Sequence, residues 1–153
     1  MTVSIHQQSD PTGTERVLRS LPNWFGIEEA IQSYVDMATR LESHIATING
    51  ETVGVALVER HFAESAELAL IAVHAEHRTS GIGRRLVESV EKSIQNDGCR
   101  FLEVHTVGPS YQDEGYAATR AFYQAVGFTP MHEFEKLDWD GPTLILIKSL
   151  SPI

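Results

Sequence analysis

The fold of this chain is decided by one stretch, LIAVHAEHRTSGIGRRL at residues 70–86. It begins as an apolar run, continues as a polar loop with two glycines, and then opens an amphipathic helix. The first amide groups of a helix have no intrahelical acceptors, and the helix dipole makes that end positive. Glycines carry no Cβ atom, so a ligand can approach their backbone closely. The stretch therefore predicts a strand, an anion-binding loop and a helix, with a phosphorylated ligand as occupant.

Periodicity on either side of this stretch predicts the other elements. Upstream, we expect a frayed start through residue 8, a short helix over residues 14–21 and a second helix over residues 27–41. Asn49 and Gly50 are a strong hairpin signal between strands at residues 44–48 and 52–60. Downstream, a helix turns Ile82, Leu86, Val87, Val90 and Ile94 inward. It is followed by a strand over residues 100–107, a helix over 117–126, and strands over 131–137 and 143–148.

The order of these elements predicts the fold class. The strand over residues 67–73 is largely apolar, and we therefore expect it at the centre of the sheet. The whole pattern indicates an α/β (α+β) fold, in which a mixed, mostly antiparallel central sheet is flanked by helices on both faces. A length of 153 residues fits a single domain over residues 1–153.

Composition excludes several classes of function. The chain is 42% hydrophobic and 22% charged, as in ordinary globular proteins, and its net charge of −9 argues against nucleic acid as a partner. No apolar run approaches the roughly 20 residues of a membrane helix, and no signal peptide is recognised, so we expect a cytoplasmic protein without a membrane partner. The single cysteine, Cys99, reads as a small buried hydrophobe. The histidines show no ligand spacing with a third partner, so we expect no metal.

Three classes of glycine-rich loop compete for residues 78–84. A Walker loop needs lysine followed by serine or threonine after its last glycine, where this chain has Arg84 and Arg85. A dinucleotide-binding loop needs a third glycine where this chain has Leu86, and the strands before the loop are expected to be antiparallel. Neither class fits well.

The third class fits both this loop and a second block downstream. The loop resembles the acetyl-CoA loop of the GNAT superfamily of N-acetyltransferases in its spacing: Arg78 is followed by two residues, Gly81, one residue and Gly83. At residues 118–128, ATRAFYQAVGF resembles the tyrosine-bearing helix of that superfamily and the Gly-Phe pair that follows it. The core of the match covers about residues 67–128, and residues 21–26 and 108–110 are similar to a largely uncharacterised bacterial branch.

The resemblance implies acetyl-CoA as acetyl donor and the acyl-CoA N-acyltransferase fold. In the superfamily the strand before the loop pairs with the pantetheine arm, which places the Val73 N–H near the thioester oxygen, and the loop amides hold the pyrophosphate. Arg78, Arg84 and Arg85 could neutralise phosphates, or could merely solvate the start of the helix. The implied cofactor-binding residues are Ile71, Val73, Arg78, Thr79, Ser80, Gly81, Ile82, Gly83 and Arg84.

Catalytic candidates follow from the same resemblance and from strand alternation. Tyr123 matches the superfamily's usual general acid; the alternative is a half-buried aromatic at the edge of an apolar stripe formed by Ala118, Phe122 and Val126. Glu103 and His105 alternate onto one face of a strand, about 6.6 Å apart, and either could serve as the base or be an ordinary polar pair. Glu67 is a further candidate by a looser alignment. Residues considered for the acceptor mouth are Asp113, Glu114, Tyr116, Trp24 and Phe25.

The sequence thus predicts an acetyl-CoA-dependent N-acetyltransferase that uses direct transfer in a ternary complex. A covalent acyl-enzyme is not expected, because Cys99 reads as structural. We expect a small cationic amine as acceptor first and a protein amine second, with the protein acting as a monomer or a homodimer. The alternative is a non-catalytic module that binds acyl-CoA as a sensor.

Overall fold

The computed structural model describes residues 2–150, which form a mixed seven-stranded sheet with four α-helices. In chain order the elements are β1 (Val3–Gln7), α1 (Pro11–Arg19), α2 (Glu28–Arg40), β2 (Glu42–Ile48), β3 (Glu51–Arg60), β4 (Ser65–Val73), α3 (Ile82–Asn96), β5 (Phe101–Val107), α4 (Glu114–Ala125), β6 (Thr129–Phe134) and β7 (Thr143–Ser149). A 3₁₀ turn, Ala75–His77, lies between β4 and α3.

The strand order is β1-β2-β3-β4-β5-β7-β6, which puts β4 at the centre of the sheet as predicted. β4 and β5 pair parallel. Antiparallel pairing joins β1 with β2, β2 with β3, β5 with β7 and β6 with β7. Along β4, Ala66, Leu68, Leu70 and Ala72 are buried, and the alternate residues are partly exposed. The mixed, mostly antiparallel sheet expected from the sequence is confirmed.

By its internal contacts the chain divides into two compact units. The first unit comprises Met1–Glu59 and Ala69–Ile94, and the second comprises Arg60–Leu68 and Gln95–Ile153. The first half of β4 belongs to the second unit and the rest of the strand to the first. The single-domain organisation stays a prediction from chain length.

In the first unit, β3 carries helices on opposite faces. Val55 and Leu57 of β3 lie in an apolar cluster with Val17 and Leu18 of α1, and with Ile31 and Ala38 of α2. Gly54, which immediately precedes Val55 on the strand, lies under α3: a Cβ placed there would be 3.1 Å from both Ile82 Cγ2 and Leu86 Cδ1. Since successive strand residues point to opposite faces, α1 and α2 cover one face and α3 covers the other.

A buried polar network also ties β2 to α3. The ring of His44 is 1% exposed, with Nδ1 2.7 Å from Ser89 Oγ and Nε2 2.7 Å from Glu42 Oε2. Ser93 Oγ donates to the same Glu42 oxygen at 2.8 Å. Because both ring nitrogens of this histidine have a partner, its burial costs little and fixes how the helix packs on the strand.

The expected frayed start is wrong. Residues 3–7 form β1, which pairs with β2 from Val3 opposite Ile48 to Gln7 opposite His44. Val3 and Ile5 are partly buried while Ser4 and His6 are exposed, so the short segment does follow a strand alternation. Arg85 Nη1 donates to the Val3 carbonyl at 2.9 Å and fastens the strand to α3.

In the second unit, the inward face of α4 is offset from the predicted stripe. Ala118 is exposed and Phe122 only partly buried, whereas Tyr123 is 6% exposed and is the buried residue of the helix. Its ring meets Phe128 edge-on, with centroids 5.8 Å apart. β6 also starts earlier than predicted and ends at Phe134. Cys99 is buried, as expected.

No helix among residues 2–150 has the length and apolar character needed to cross a bilayer.

Gly54→Val should destabilise the protein by about 1–3 kcal/mol, because the new side chain would overlap Ile82 and Leu86 in a packed interface. Urea unfolding followed by circular dichroism measures the change. Ser4→Val, on the exposed face of β1, is the control and should shift the free energy of unfolding by less than about 0.5 kcal/mol. Equal stability of Gly54→Val and the parent would contradict this packing.

Candidate active site

The loop after β4 is held by backbone bonds within the first unit. The His74 N–H donates to the Val53 carbonyl at 2.8 Å, and the Ala75 N–H donates to Ser20 Oγ at 3.1 Å. Consecutive strand amides point in opposite directions, so the Val73 and Ile71 amides point away from β3. Both residues are partly exposed. This orientation keeps the Val73 amide, which the resemblance assigns to the thioester oxygen, out of the pairing with β3.

The loop itself turns through two residues in the left-handed region. Thr79 has φ of 62° and Gly81 has φ of +83°. A Cβ placed on Gly81 would meet nothing within 4 Å. The Arg85 N–H donates to the Gly81 carbonyl at 3.2 Å, which begins the ladder of α3, so the amides of Ile82, Gly83 and Arg84 belong to its unladdered first turn. The loop thus combines a run of amides without helical acceptors with a glycine that is open to approach, which is the geometry expected of an anion site.

The two loop hydroxyls are bonded within the loop. Thr79 Oγ1 donates to the Arg78 carbonyl at 2.5 Å, and Ser80 Oγ donates to the His77 carbonyl. Both side chains stabilise the turn, which leaves their backbone N–H groups as the donors they can offer a ligand.

Arg78 has a partner that the sequence does not suggest. Its guanidinium lies over the ring of Trp24, 4.4 Å from the centroid, as a cation–π pair. Trp24 packs with Phe25 against the apolar cluster of α1 and α2, and both aromatics are partly buried. Arg78, which is predicted to contact phosphate, therefore lies against Trp24, which is predicted to line the acceptor pocket.

In the second unit, Glu103 and His105 do lie together on one face of β5. His105 Nε2 is 3.0 Å from Glu103 Oε1, and Nδ1 is 2.9 Å from Asp138 Oδ2 in the β6–β7 turn. Burial alone would lower the pKa of His105, but the hydrogen bonds to Asp138 and Glu103 and the charge of Glu67 outweigh it, and the pKa is raised. Both ring nitrogens face carboxylates, and these neighbours favour the charged form of the ring relative to an isolated imidazole.

Glu67 joins the same cluster through the sheet. It lies opposite Glu103 in the parallel register of β4 and β5, and its Oε1 is 2.8 Å from His61 Nε2 in the β3–β4 turn. One ligand atom from each of Glu67, Glu103 and His105 lies within 4.8 Å of the others. The sequence reasoning found no such grouping, because it compared histidine spacings along the chain and not across strands.

Two members of this cluster, His61 and Asp138, escaped the sequence reasoning. Each lies in a turn between strands, where no periodicity marks a residue as inward or outward. Asp138 is 33 positions from the histidine it contacts. No sequence signal marks either residue as a member of the cluster.

Other candidates for the acceptor mouth lie at the start of α4. Asp113 caps that helix, with its Oδ1 accepting from the Tyr116 N–H at 3.1 Å, and Glu114 is exposed. Burial, with the charges of Asp113 and Tyr111 adding to it, raises the pKa of Tyr116. Trp139 and Tyr111, both exposed, meet edge-on with centroids 5.4 Å apart.

Comparison with known proteins identifies the class. Residues 40–130, more than half of the chain, match the family model described as an acetyltransferase (GNAT) domain. The chain belongs to this family of acetyltransferases. The matched range includes the glycine loop, the β5 cluster residues Glu103 and His105, and Tyr123.

Solved structures agree with the family in fold. A protein described as a GNAT-family acetyltransferase from Desulfovibrio desulfuricans superimposes with a TM-score of 0.87 at 23% identity, covering 98% of this chain and 100% of its own. A GNAT-family acetyltransferase from Elizabethkingia anophelis, with acetyl-CoA bound, gives 0.71 at 21% identity, covering 97% and 98%. An aminoglycoside 6′-N-acetyltransferase complexed with coenzyme A gives 0.74 at 17% identity, covering 100% and 99%. No curated protein sequence matches significantly.

Asp138→Asn should lower the pKa of His105, because it removes a charged hydrogen-bond acceptor from Nδ1. Since the folded-state pKa is raised, the stability contributed by the ionised ring is complete below its ordinary pKa and is lost as pH rises through the raised value. NMR titration of the imidazole resonances measures the pKa. Asp140→Asn, two residues further along the same turn, is the matched control and should leave the pKa of His105 unchanged. An unchanged pKa of His105 in Asp138→Asn would refute the contact.

Proposed function

We propose that the protein is an acetyl-CoA-dependent N-acetyltransferase that moves the acetyl group directly to a primary amine in a ternary complex. The observation that carries the proposal is the loop at residues 78–84. Its open left-handed Gly81 and first-turn amides follow a strand whose last amides point away from β3. Membership of the GNAT family supports acyl transfer as the chemistry, and neighbours of the same fold carry coenzyme A or acetyl-CoA.

Donor binding is assigned to the first unit. The amides of residues 80–84 would hold the pyrophosphate, with Arg78 and Arg84 as sources of positive charge. The backbone of Ile71 and Val73 would pair with the pantetheine arm, and the Val73 N–H would stabilise the oxyanion. Thr79 serves by shaping the turn.

Proton transfer is assigned to the second unit. The amine nitrogen attacks the thioester carbonyl carbon, the carbon–sulfur bond breaks, and the nitrogen loses a proton. We assign that proton to Glu103, directly or through water, since the two nitrogens of His105 are already engaged by carboxylates. His105 then acts as a positioning residue. Tyr123 is proposed to protonate the departing thiolate, because a phenol hydroxyl is a proton donor of suitable chemistry for this step.

The acceptor class rests on charge. The net charge of −9 and the acidic groups at the start of α4 favour a small cationic amine, with a protein amine as the second candidate. A cytoplasmic site of action and the monomer or homodimer expected from the sequence stay part of this proposal. Thiol release from acetyl-CoA across a panel of amines tests it. Cofactor binding without amine-dependent thiol release would favour the sensor alternative.

Gly81→Val should abolish acetyl-CoA binding, because the new side chain would occupy the space through which the pyrophosphate approaches the backbone. Isothermal titration calorimetry measures the affinity. Gly50→Val is a matched control: Gly50 also has positive φ (+79°) and open space around its Cβ, so it carries the same backbone strain far from the loop in sequence. If both variants bound the donor normally, the pyrophosphate assignment would be wrong.

Tyr123→Phe should lower kcat by roughly 10- to 1000-fold, the range expected for loss of a general acid, with donor affinity nearly unchanged. The substitution keeps the ring that packs on Phe128, so the fold should persist. Steady-state thiol release measures kcat, and Tyr34→Phe on α2 serves as the control for loss of a hydroxyl elsewhere. Unchanged turnover would remove Tyr123 from the mechanism.

A further inference from the structure

We propose that Glu67, Glu103 and His105 form a binding site for a divalent transition-metal cation of the zinc class. Their ligand atoms already lie within 4.8 Å of one another. Around a tetrahedral Zn²⁺ with metal–ligand distances of about 2.1 Å, ligand atoms are about 3.4 Å apart. Movements of about 1 Å by partly exposed side chains close that difference.

The sheet preorganises these three residues. Glu67 and Glu103 are register partners on parallel neighbours, and Glu103 and His105 are two apart on β5, so their side chains leave the same face. A site built on paired strands holds its ligands more rigidly than one built on loops.

Residues from two separate turns orient two of the proposed metal ligands, as the hydrogen-bonding partners around a bound metal do. His105 turns Nε2 toward Glu103 and places Nδ1 2.9 Å from Asp138, the arrangement in which a metal-bound histidine donates its other N–H to a carboxylate. Glu67 Oε1 is likewise 2.8 Å from His61 Nε2. The pairing of two of the three strand ligands, His105 and Glu67, with partners from turns distinguishes the cluster from a patch of surface acids.

The donor set selects the cation. One imidazole nitrogen with carboxylate oxygens suits Zn²⁺ and its neighbours in the first transition row, whereas Ca²⁺ and Mg²⁺ prefer oxygen ligands alone. The side chains of Glu67, Glu103 and His105 are 20%, 32% and 20% exposed, which leaves a fourth position for water.

A consequence for activity rests on the proposed function. A cation on Glu103 would occupy the carboxylate assigned to take the amine proton. Zn²⁺ should then inhibit acetyl transfer reversibly, and a chelator should restore it.

The site is tested by titrating ZnCl₂ into tag-free, EDTA-treated protein by calorimetry, with Co²⁺ absorption as a second readout of tetrahedral coordination. We expect one site per chain, weakened at least 10-fold by Glu67→Gln and roughly 10- to 100-fold by Asp138→Asn, as for loss of an outer-shell partner. Glu64→Gln, an exposed acid in the same β3–β4 turn, is the matched control and should bind as the parent does.

Absence of stoichiometric binding, or equal affinity in the parent and Glu67→Gln, would overturn the metal site whatever the activity. The calorimetric result does not depend on catalysis, so the two assignments can fail separately. Stoichiometric binding with undiminished acetyl transfer at saturating Zn²⁺ would leave the metal site in place and overturn the assignment of Glu103 as base.

Discussion

The parallel pairing of β4 with β5 is the constraint on which the candidate site depends. Antiparallel neighbours can be joined by a tight turn, but parallel neighbours need a crossover, and here the crossover is the glycine loop followed by α3. One topological requirement therefore produces a helix N-terminus directly after the central strand. The same pairing sets Glu67 opposite Glu103 and assembles the cluster of ionisable groups. The glycine loop and the cluster of Glu67, Glu103 and His105 thus both follow from a single strand pairing.

Elements with strong local signals were predictable. The Asn49-Gly50 hairpin, the apolar central strand and the helix after the glycine loop are confirmed, since each depends on residues within a short window. β1 was missed because five residues give too short an alternation, and because its contacts with β2 join distant parts of the chain. His6 and Thr47, whose side chains are hydrogen-bonded, are 41 positions apart. On α4, tertiary packing on Phe128 turns Tyr123 inward and leaves Ala118 exposed, a rotation that helical spacing alone does not determine.

The candidate site also combines local features, which the sequence predicts, with features that depend on distant residues, which it does not. The geometry of the loop could be predicted from its own residues, because it depends on backbone amides and on glycine conformation. Strand alternation brought Glu103 and His105 to one face, which the structure confirms. The raised pKa of His105 could not be predicted, since it depends on Asp138 and Glu67, which reach it through a distant turn and through strand register. The catalytic roles themselves stay proposals that rest on chemistry and family.

The left-handed conformation of Thr79 has a consequence for affinity. A residue with a Cβ at φ of 62° costs about 1–2 kcal/mol relative to ordinary backbone. This cost is part of the free energy of folding. The loop amides are therefore already ordered before a ligand binds, and the binding free energy is reduced little by the entropy of ordering them. Stability and affinity therefore oppose each other at this position. A substitution that relaxed residue 79 would stabilise the protein and, if the loop holds the pyrophosphate as proposed, would weaken that binding.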